Sequence, residues 1–244
     1  MDRIYNSIEF VVRGDYAIFT DPITKIGGQK MTYQVPTYEA LKGIVKNIYW
    51  KPCITWIIDE VRVMKPIKTE SKGVRPIHYF DNRNDLAFYT YLKDVEYQVR
   101  AHFIFNENQV ELKGDWNDTK HFQIAKRSLE VGGRRNIFLG CSECGAYVFP
   151  CKFGSGKGYY DDVPMISYGY MVHGLTYPDE AYPQFVPETE GNLCRRIAPI
   201  VMKNGIIQFP PPEKCIHEVI HPFKMKVFEN IPEEERNELG RKTV

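Results

Sequence analysis

The stretch Asn117 to Arg135, NDTKHFQIAKRSLEVGGRR, places a Lys-His pair at a helix start and an Arg pair just past its end. Asn117 or Asp118 can cap the helix by accepting an orphan N–H. Phe122, Ala125 and Leu129 supply an apolar stripe at helical spacing, and Gly132-Gly133 stop the helix. Lys120 and His121 then fall in the first turn, where unpaired N–H groups and the positive end of the helix dipole favour an anion such as a phosphate. The plainer alternative is a solvated amphipathic helix with a chance His, and a bare K-H dipeptide does not outweigh it. Tyr49, at the end of the preceding helix, adds a phenol, although a lone Tyr there is by default a core aromatic.

These three residue types suit one chemistry. RNA carries its own nucleophile, the 2′-hydroxyl, so cleavage needs a group to remove that proton, one to protonate the leaving 5′-oxygen, and a cation for the phosphorane charge. His121 titrates near neutrality, Tyr49 donates or accepts a phenolic proton, and Lys120 is a fixed charge. No metal and no cofactor is required.

Other motifs carry less. His217-Glu218-Val219-Ile220-His221 matches the zinc motif H-E-x-x-H, but Pro210 to Pro212 and Pro222 leave room for only a short helix, and the flanks suit a strand equally well. Cys141-Ser142-Glu143-Cys144 has no second Cys or His pair at finger spacing, so a turn between strands is expected. Gly154-Ser155-Gly156-Lys157-Gly158 lacks the spacing of a phosphate loop and reads as a flexible basic loop. Asp59-Glu60 and Asp161-Asp162 do not form the spaced acidic set of a two-metal site.

The elements that must position these groups follow from periodicity. Ile8, Phe10 and Val12 alternate in a first strand. Thr37 caps a helix in which Leu41, Ile44, Val45 and Ile48 repeat, Ile54 to Met64 is a central strand, and Tyr89 to Phe105 is a long half-buried one. The helix at 118 and two short strands, Asn136 to Leu139 and Ala146 to Phe149, complete the order β-α-β-β-α-β. In that arrangement two helices cover one face of an antiparallel sheet and leave the other free, a common platform for RNA. Beyond about 151 the chain turns rich in Gly, Tyr and Pro, and Asn204-Gly205 between apolar runs predicts a tight hairpin. The expected organisation is α+β, with a first domain over 1–150, a small antiparallel β domain over 151–228 and an exposed tail over 229–244.

At 244 residues with 43% hydrophobic content the chain can bury a full core, and a net charge of +1 excludes a globally basic binder of the histone kind without excluding local basic patches. Six cysteines are too sparse for a disulfide scaffold. No apolar run reaches membrane-spanning length, and MDRIYNSIEF lacks the apolar core of a signal peptide, so a cytoplasmic protein without a membrane partner is expected.

The segments GDYAIFTDPITKIGGQKMTYQVPTYEALKGIVKNIYWKP, VMKPIKTESKGVRPI, YTYLKDVEYQVRAHF, GGRRNIFLGCSECGAYV and GYMVHGLTYPDE resemble, in order and over nearly the whole chain, the CRISPR-associated Cas five family, d type, of subtype I-C systems. The resemblance implies a ferredoxin-like, RRM-related domain followed by a small β domain. It also implies a metal-independent endoribonuclease that cuts precursor CRISPR RNA at the base of the repeat hairpin and then stays as a subunit of the interference complex. The family's catalytic tyrosine falls on Tyr49, and its Lys-His pair on Lys120-His121. Candidates for RNA backbone contacts are Lys68, Lys72, Arg75, Arg134 and Arg135. Expected partners are CRISPR repeat RNA and the other subunits of the type I-C complex, with double-stranded DNA compatible with the same basic surfaces. The alternative is a non-catalytic RNA-binding subunit that caps the 5′ handle of the CRISPR RNA, and a zinc hydrolase stands third.

Overall fold

A computed structural model describes residues 6–22, 24, 29–77, 80, 81, 83–181 and 183–223. The glycine pair at 27 and 28 and the tail expected over 229–244 lie outside the described residues. Among those described, eleven strands form one sheet, which two α-helices accompany.

The first strand, β1 (Ser7–Ala17), is followed by the short β2 (Lys30–Met31) and by helix α1 (Tyr38–Ile48). Thr37 caps α1 by accepting from the Ala40 N–H at 3.2 Å, and Leu41, Ile44, Val45 and Ile48 make its buried stripe. Next come β3 (Ile54–Val63), β4 (Thr69–Val74) and the nineteen-residue β5 (Ala87–Phe105). Helix α2 (Asp118–Glu130) leads to β6 (Ile137–Phe138) and β7 (Gly145–Pro150). The central strands lie side by side in the order β3-β5-β1-β7, each antiparallel to its neighbour. The fold is α+β, built on a large antiparallel sheet.

Val95, Tyr97, Val99, Ala101 and Phe103 of β5 point to one face and share a core with α1 and with Ala125 and Leu129 of α2. The opposite face differs from the expected platform. Arg100 pairs with Glu9 at 2.9 Å and Glu60 at 3.2 Å, Arg13 with Glu96 at 3.1 Å, and His102 with Asp59 at 2.8 Å. A phosphate chain crossing these strands would meet carboxylates already holding the cations. The exposed aromatics of this face, Tyr147 and Phe149, sit on β7.

The remaining strands are β8 (Ile166–Thr176), β9 (Asn192–Lys203), β10 (Ile206–Gln208) and β11 (Ile216–Pro222). Asn204 and Gly205 take φ of 49° and 78°, the paired positive values of a type I′ turn, so β9 and β10 form the hairpin expected at Asn-Gly. β10 also bonds to β3, which joins this hairpin to the central sheet. The glycine-rich loop after β7 is pinned. Buried Arg62 donates to the carbonyls of Ser155 and Gly156 and pairs with Asp161 at 2.6 Å.

His173 of β8 locks the C-terminal strands to α1. Its Nε2–H donates to the Pro210 carbonyl, its Nδ1 accepts from the Arg196 guanidinium at 3.2 Å, and its ring stacks on Tyr38 at 4.0 Å. Burial, reinforced by Arg196, pushes this imidazole down to about 3. The unfolded chain, with an ordinary imidazole near 6.5, therefore binds the extra proton between those values. Stability is complete above about pH 6.5 and falls as pH drops toward 3, by on the order of 5 kcal/mol for this group. Thermal melts between pH 7.5 and 5 should show wild type losing several degrees that His173→Gln, whose amide still donates and accepts, does not lose. Parallel curves for the two proteins would remove His173 as the cause.

Candidate active site

The end of α1 and the start of α2 meet on the helical face of the sheet. Tyr49 leaves α1 in an extended conformation after its N–H closes the last helical bond, to Val45 at 2.9 Å. Its carbonyl accepts from the Trp56 indole at 2.7 Å, so helix and β3 together fix its backbone. At the other helix Asn117 is the cap, accepting from the Lys120 N–H at 2.9 Å.

The cap turns two neighbouring side chains in opposite directions. His121 lies on the buried face with Ala125, Ser128 and Leu129, the i, i+4, i+7, i+8 set, and is 0% exposed. Phe122, expected on that stripe, is only partly buried. Lys120 points outward, half exposed, and pairs with the Asp115 carboxylate. His121 is thus a core side chain, and the simple picture of a Lys-His anion site in the first helical turn applies to Lys120 alone.

The Tyr49 hydroxyl lies 2.7 Å from His121 Nδ1, and His121 Nε2 lies 2.8 Å from the Asp115 carbonyl oxygen. A carbonyl only accepts, so Nε2 carries the proton, and neutral Nδ1 accepts from the phenol. Burial, with contributions from Cys53 and Asp115, pushes the Tyr49 phenol up to about 12, while Arg134 opposes the shift. The Arg134 guanidinium lies 6.0 Å from the Tyr49 ring centre. Lys120, through its hydrogen bond, holds the Asp115 carboxyl below the usual carboxylate range. The Cys53 thiol, raised by burial and by Asp115, sits 3.6 Å from His121 Nε2. The pair can pass protons between a phenol and an imidazole beside a fixed cation.

Asp115 and Trp116 cover it. Trp116 stacks on Phe105 at 5.3 Å and 8°, and its indole N–H is buried without an acceptor. An unmade hydrogen bond of this kind costs roughly 1–3 kcal/mol, which lowers the work of moving the segment aside.

The family model described as CRISPR-associated protein (Cas_Cas5) matches residues 7–210. The chain belongs to the Cas5d family. The CRISPR pre-crRNA endoribonuclease Cas5d of Mannheimia succiniciproducens is 29% identical over 239 residues, covering 84% of this chain and 96% of that protein. A crystal structure described as a CRISPR-associated protein superposes with a TM-score of 0.72 at 34% identity, covering 89% of this chain and 100% of the other. A functionally uncharacterized protein from Streptococcus mutans gives 0.70 at 38% identity, with 87% and 96% covered.

In this Cas5d chain the structure brings Tyr49, Lys120 and His121 together and places Arg134 and Arg135 nearby. The Asn47 carbonyl, at the end of α1, accepts from the N–H groups of both arginines, at 3.1 and 3.2 Å. With Asn47, Trp50, Lys51 and Phe138 the two arginines line a cleft of about 990 Å³. The other basic candidates lie elsewhere. Lys68, Lys72 and Arg75 sit on or beside β4, which pairs with the opposite end of β5, and Lys72 is paired with Tyr89. From there to Phe105, against which His121 packs, is up to roughly 50 Å of strand. Lys72 is also engaged, 3.3 Å over the Tyr16 ring and 3.9 Å from Glu70.

The H-E-x-x-H residues fall on β11, a strand, where Glu218 pairs with Arg195 and the helical geometry of a zinc protease does not arise. Cys141 and Cys144 flank a turn between β6 and β7, their sulfurs 3.6 Å apart. No helix among the described residues is long and apolar enough to cross a membrane. Asp115, Cys53 and Trp116 were not legible as site residues, since none shares a motif or a periodicity with Lys120-His121.

Proposed function

We propose that the chain is a metal-independent endoribonuclease that cuts precursor CRISPR RNA within the repeat hairpin by 2′-hydroxyl attack. The observation that carries this reading is the hydrogen bond of 2.7 Å between Tyr49 and His121, with Lys120 beside it. In the proposed step the 2′-oxygen bonds to phosphorus and the P–O5′ bond breaks, leaving a 2′,3′-cyclic phosphate. His121 gives its Nε2 proton to the leaving 5′-oxygen while Nδ1 takes the phenolic proton, and the Tyr49 oxygen receives the proton of the 2′-hydroxyl. A phenol raised to about 12 stays protonated at neutral pH, which suits it to refill the imidazole. Lys120 offsets the phosphorane charge once RNA displaces Asp115 from it. Arg134 and Arg135 hold the RNA backbone across the cleft, and Lys68, Lys72 and Arg75 contact a more distant part of it. Family membership supports retention as a subunit of the type I-C interference complex, with double-stranded DNA as a further ligand of its basic surfaces.

Full burial of Tyr49 and His121 favours a second reading, a non-catalytic subunit capping the 5′ handle of the CRISPR RNA. Incubation with I-C repeat RNA in excess EDTA distinguishes them. Cleavage should persist, and a single 2′-deoxy nucleotide at the cut should abolish it while leaving binding unchanged. Dependence on a divalent ion, or cutting of the deoxy substrate, would defeat the mechanism.

A further inference from the structure

Cys53, Asp115 and His121 form the one group of three His, Cys, Asp or Glu donors among the described residues whose ligand atoms lie within 4.8 Å of one another. Cys53 Sγ is 3.6 Å from both Asp115 Oδ2 and His121 Nε2, and Nε2 is 3.8 Å from Oδ2. Bond lengths to zinc of 2.3 Å for sulfur and about 2.0–2.2 Å for nitrogen and oxygen, at tetrahedral angles, separate donors by roughly 3.3–3.6 Å. The triangle is therefore close to one face of a zinc tetrahedron, and a fourth position remains for water.

The surroundings fit as well. Tyr49 bonds the far imidazole nitrogen, and Lys120 bonds the other Asp115 oxygen, Oδ1, so each orients a ligand from behind. The Asp115 side chain, 36% exposed, gives the ion its way in, while Cys53 and His121 are buried. Thiolate, imidazole and carboxylate together select a borderline-soft ion over Mg²⁺ or Ca²⁺.

We propose that these three side chains form an inhibitory site for Zn²⁺ that switches off RNA cleavage by occupying His121. The inhibitory part rests on the function proposed above; the site itself does not. Binding releases one proton from the Cys53 thiol. The imidazole proton moves from Nε2 to Nδ1, so the bond to the Asp115 carbonyl is replaced by the bond to the metal and Tyr49 becomes the acceptor. His121 can then no longer give a proton to the leaving oxygen.

Titration of the metal-free full chain with Co²⁺ tests the site directly. One equivalent should produce the intense visible bands of a tetrahedral centre and a sulfur-to-cobalt band in the near ultraviolet. Cys53→Ala, and Cys53→Ser which keeps the volume, should lose the sulfur band and bind at least tenfold more weakly. In parallel, stoichiometric Zn²⁺ should slow wild-type cleavage of repeat RNA at least tenfold and leave Cys53→Ala cutting at its own zinc-free rate. A purely octahedral spectrum, or one that both variants retain, overturns the site. Equal inhibition of wild type and variant overturns the switch. The expected spectrum in a protein that cuts no RNA leaves the metal site standing and sinks the nuclease reading alone.

Discussion

His121→Ala is expected to reduce cleavage of repeat RNA by about 10²–10⁴-fold while RNA affinity changes by no more than a few-fold. The imidazole is the only group in hydrogen-bond contact with the Tyr49 hydroxyl among the described bonds, and it holds the proton proposed for the leaving oxygen. It is 0% exposed, so its loss leaves affinity to the outward-facing Lys120, Arg134 and Arg135. Truncating a buried ring also opens a cavity, and Tyr49→Phe guards against mistaking instability for lost chemistry. It keeps the ring and its packing, removes only the oxygen and its bond to His121, and should lose activity at a stability cost of only roughly 1–3 kcal/mol. Single-turnover cleavage with labelled RNA, alongside binding and melting curves, reads all three quantities. Wild-type cutting by His121→Ala would remove His121 from the catalytic step, and no cutting by wild type itself would give the function to the non-catalytic reading.

Gly140→Ala is expected to destabilise the fold by roughly 3–5 kcal/mol, about 10 °C in melting temperature. Gly140 has φ of 96°, and a Cβ there would lie 1.9 Å from the Ile18 carbonyl oxygen. The Ile18 atoms that this Cβ would meet, the oxygen and the carbonyl carbon at 2.8 Å, are both backbone. Ile18 donates to the Leu139 carbonyl at 3.0 Å, and Leu139 donates to Cys144 at 2.9 Å, so neither strand can withdraw without breaking a bond. Gly132→Ala is the matched control. Its φ of 88° carries similar strain, but nothing lies within 4 Å of its Cβ, so it should cost only about 1–2 kcal/mol. Equal losses in the two variants would assign the effect to backbone strain and discount the close approach. Since Gly140 also borders the cleft of Arg134 and Arg135, the unstable variant should bind RNA weakly even where it remains folded.

What could be read without the structure was local. Thr37 and Asn117 as caps, Gly132-Gly133 as a stop, β5 as one long strand and Asn204-Gly205 as a hairpin turn all depend on residues within a few positions of one another. The order β-α-β-β-α-β followed from stringing these together, and it already implied that α2 starts near the end of α1. Tertiary structure decided the rest. Whether His121 faces solvent or core depends on which side of α2 meets the sheet, and its bond to Tyr49 joins residues 72 positions apart. Asp115 and Cys53 became its neighbours because a turn before α2 and the start of β3 close on the same point. Likewise, the ion pairs on the open sheet face depend on the register of β5 against β1 and β3, which sets Arg100 opposite Glu9 and Glu60. Periodicity gives each residue a face of its own element. Which partner that face meets is settled only when distant segments pack.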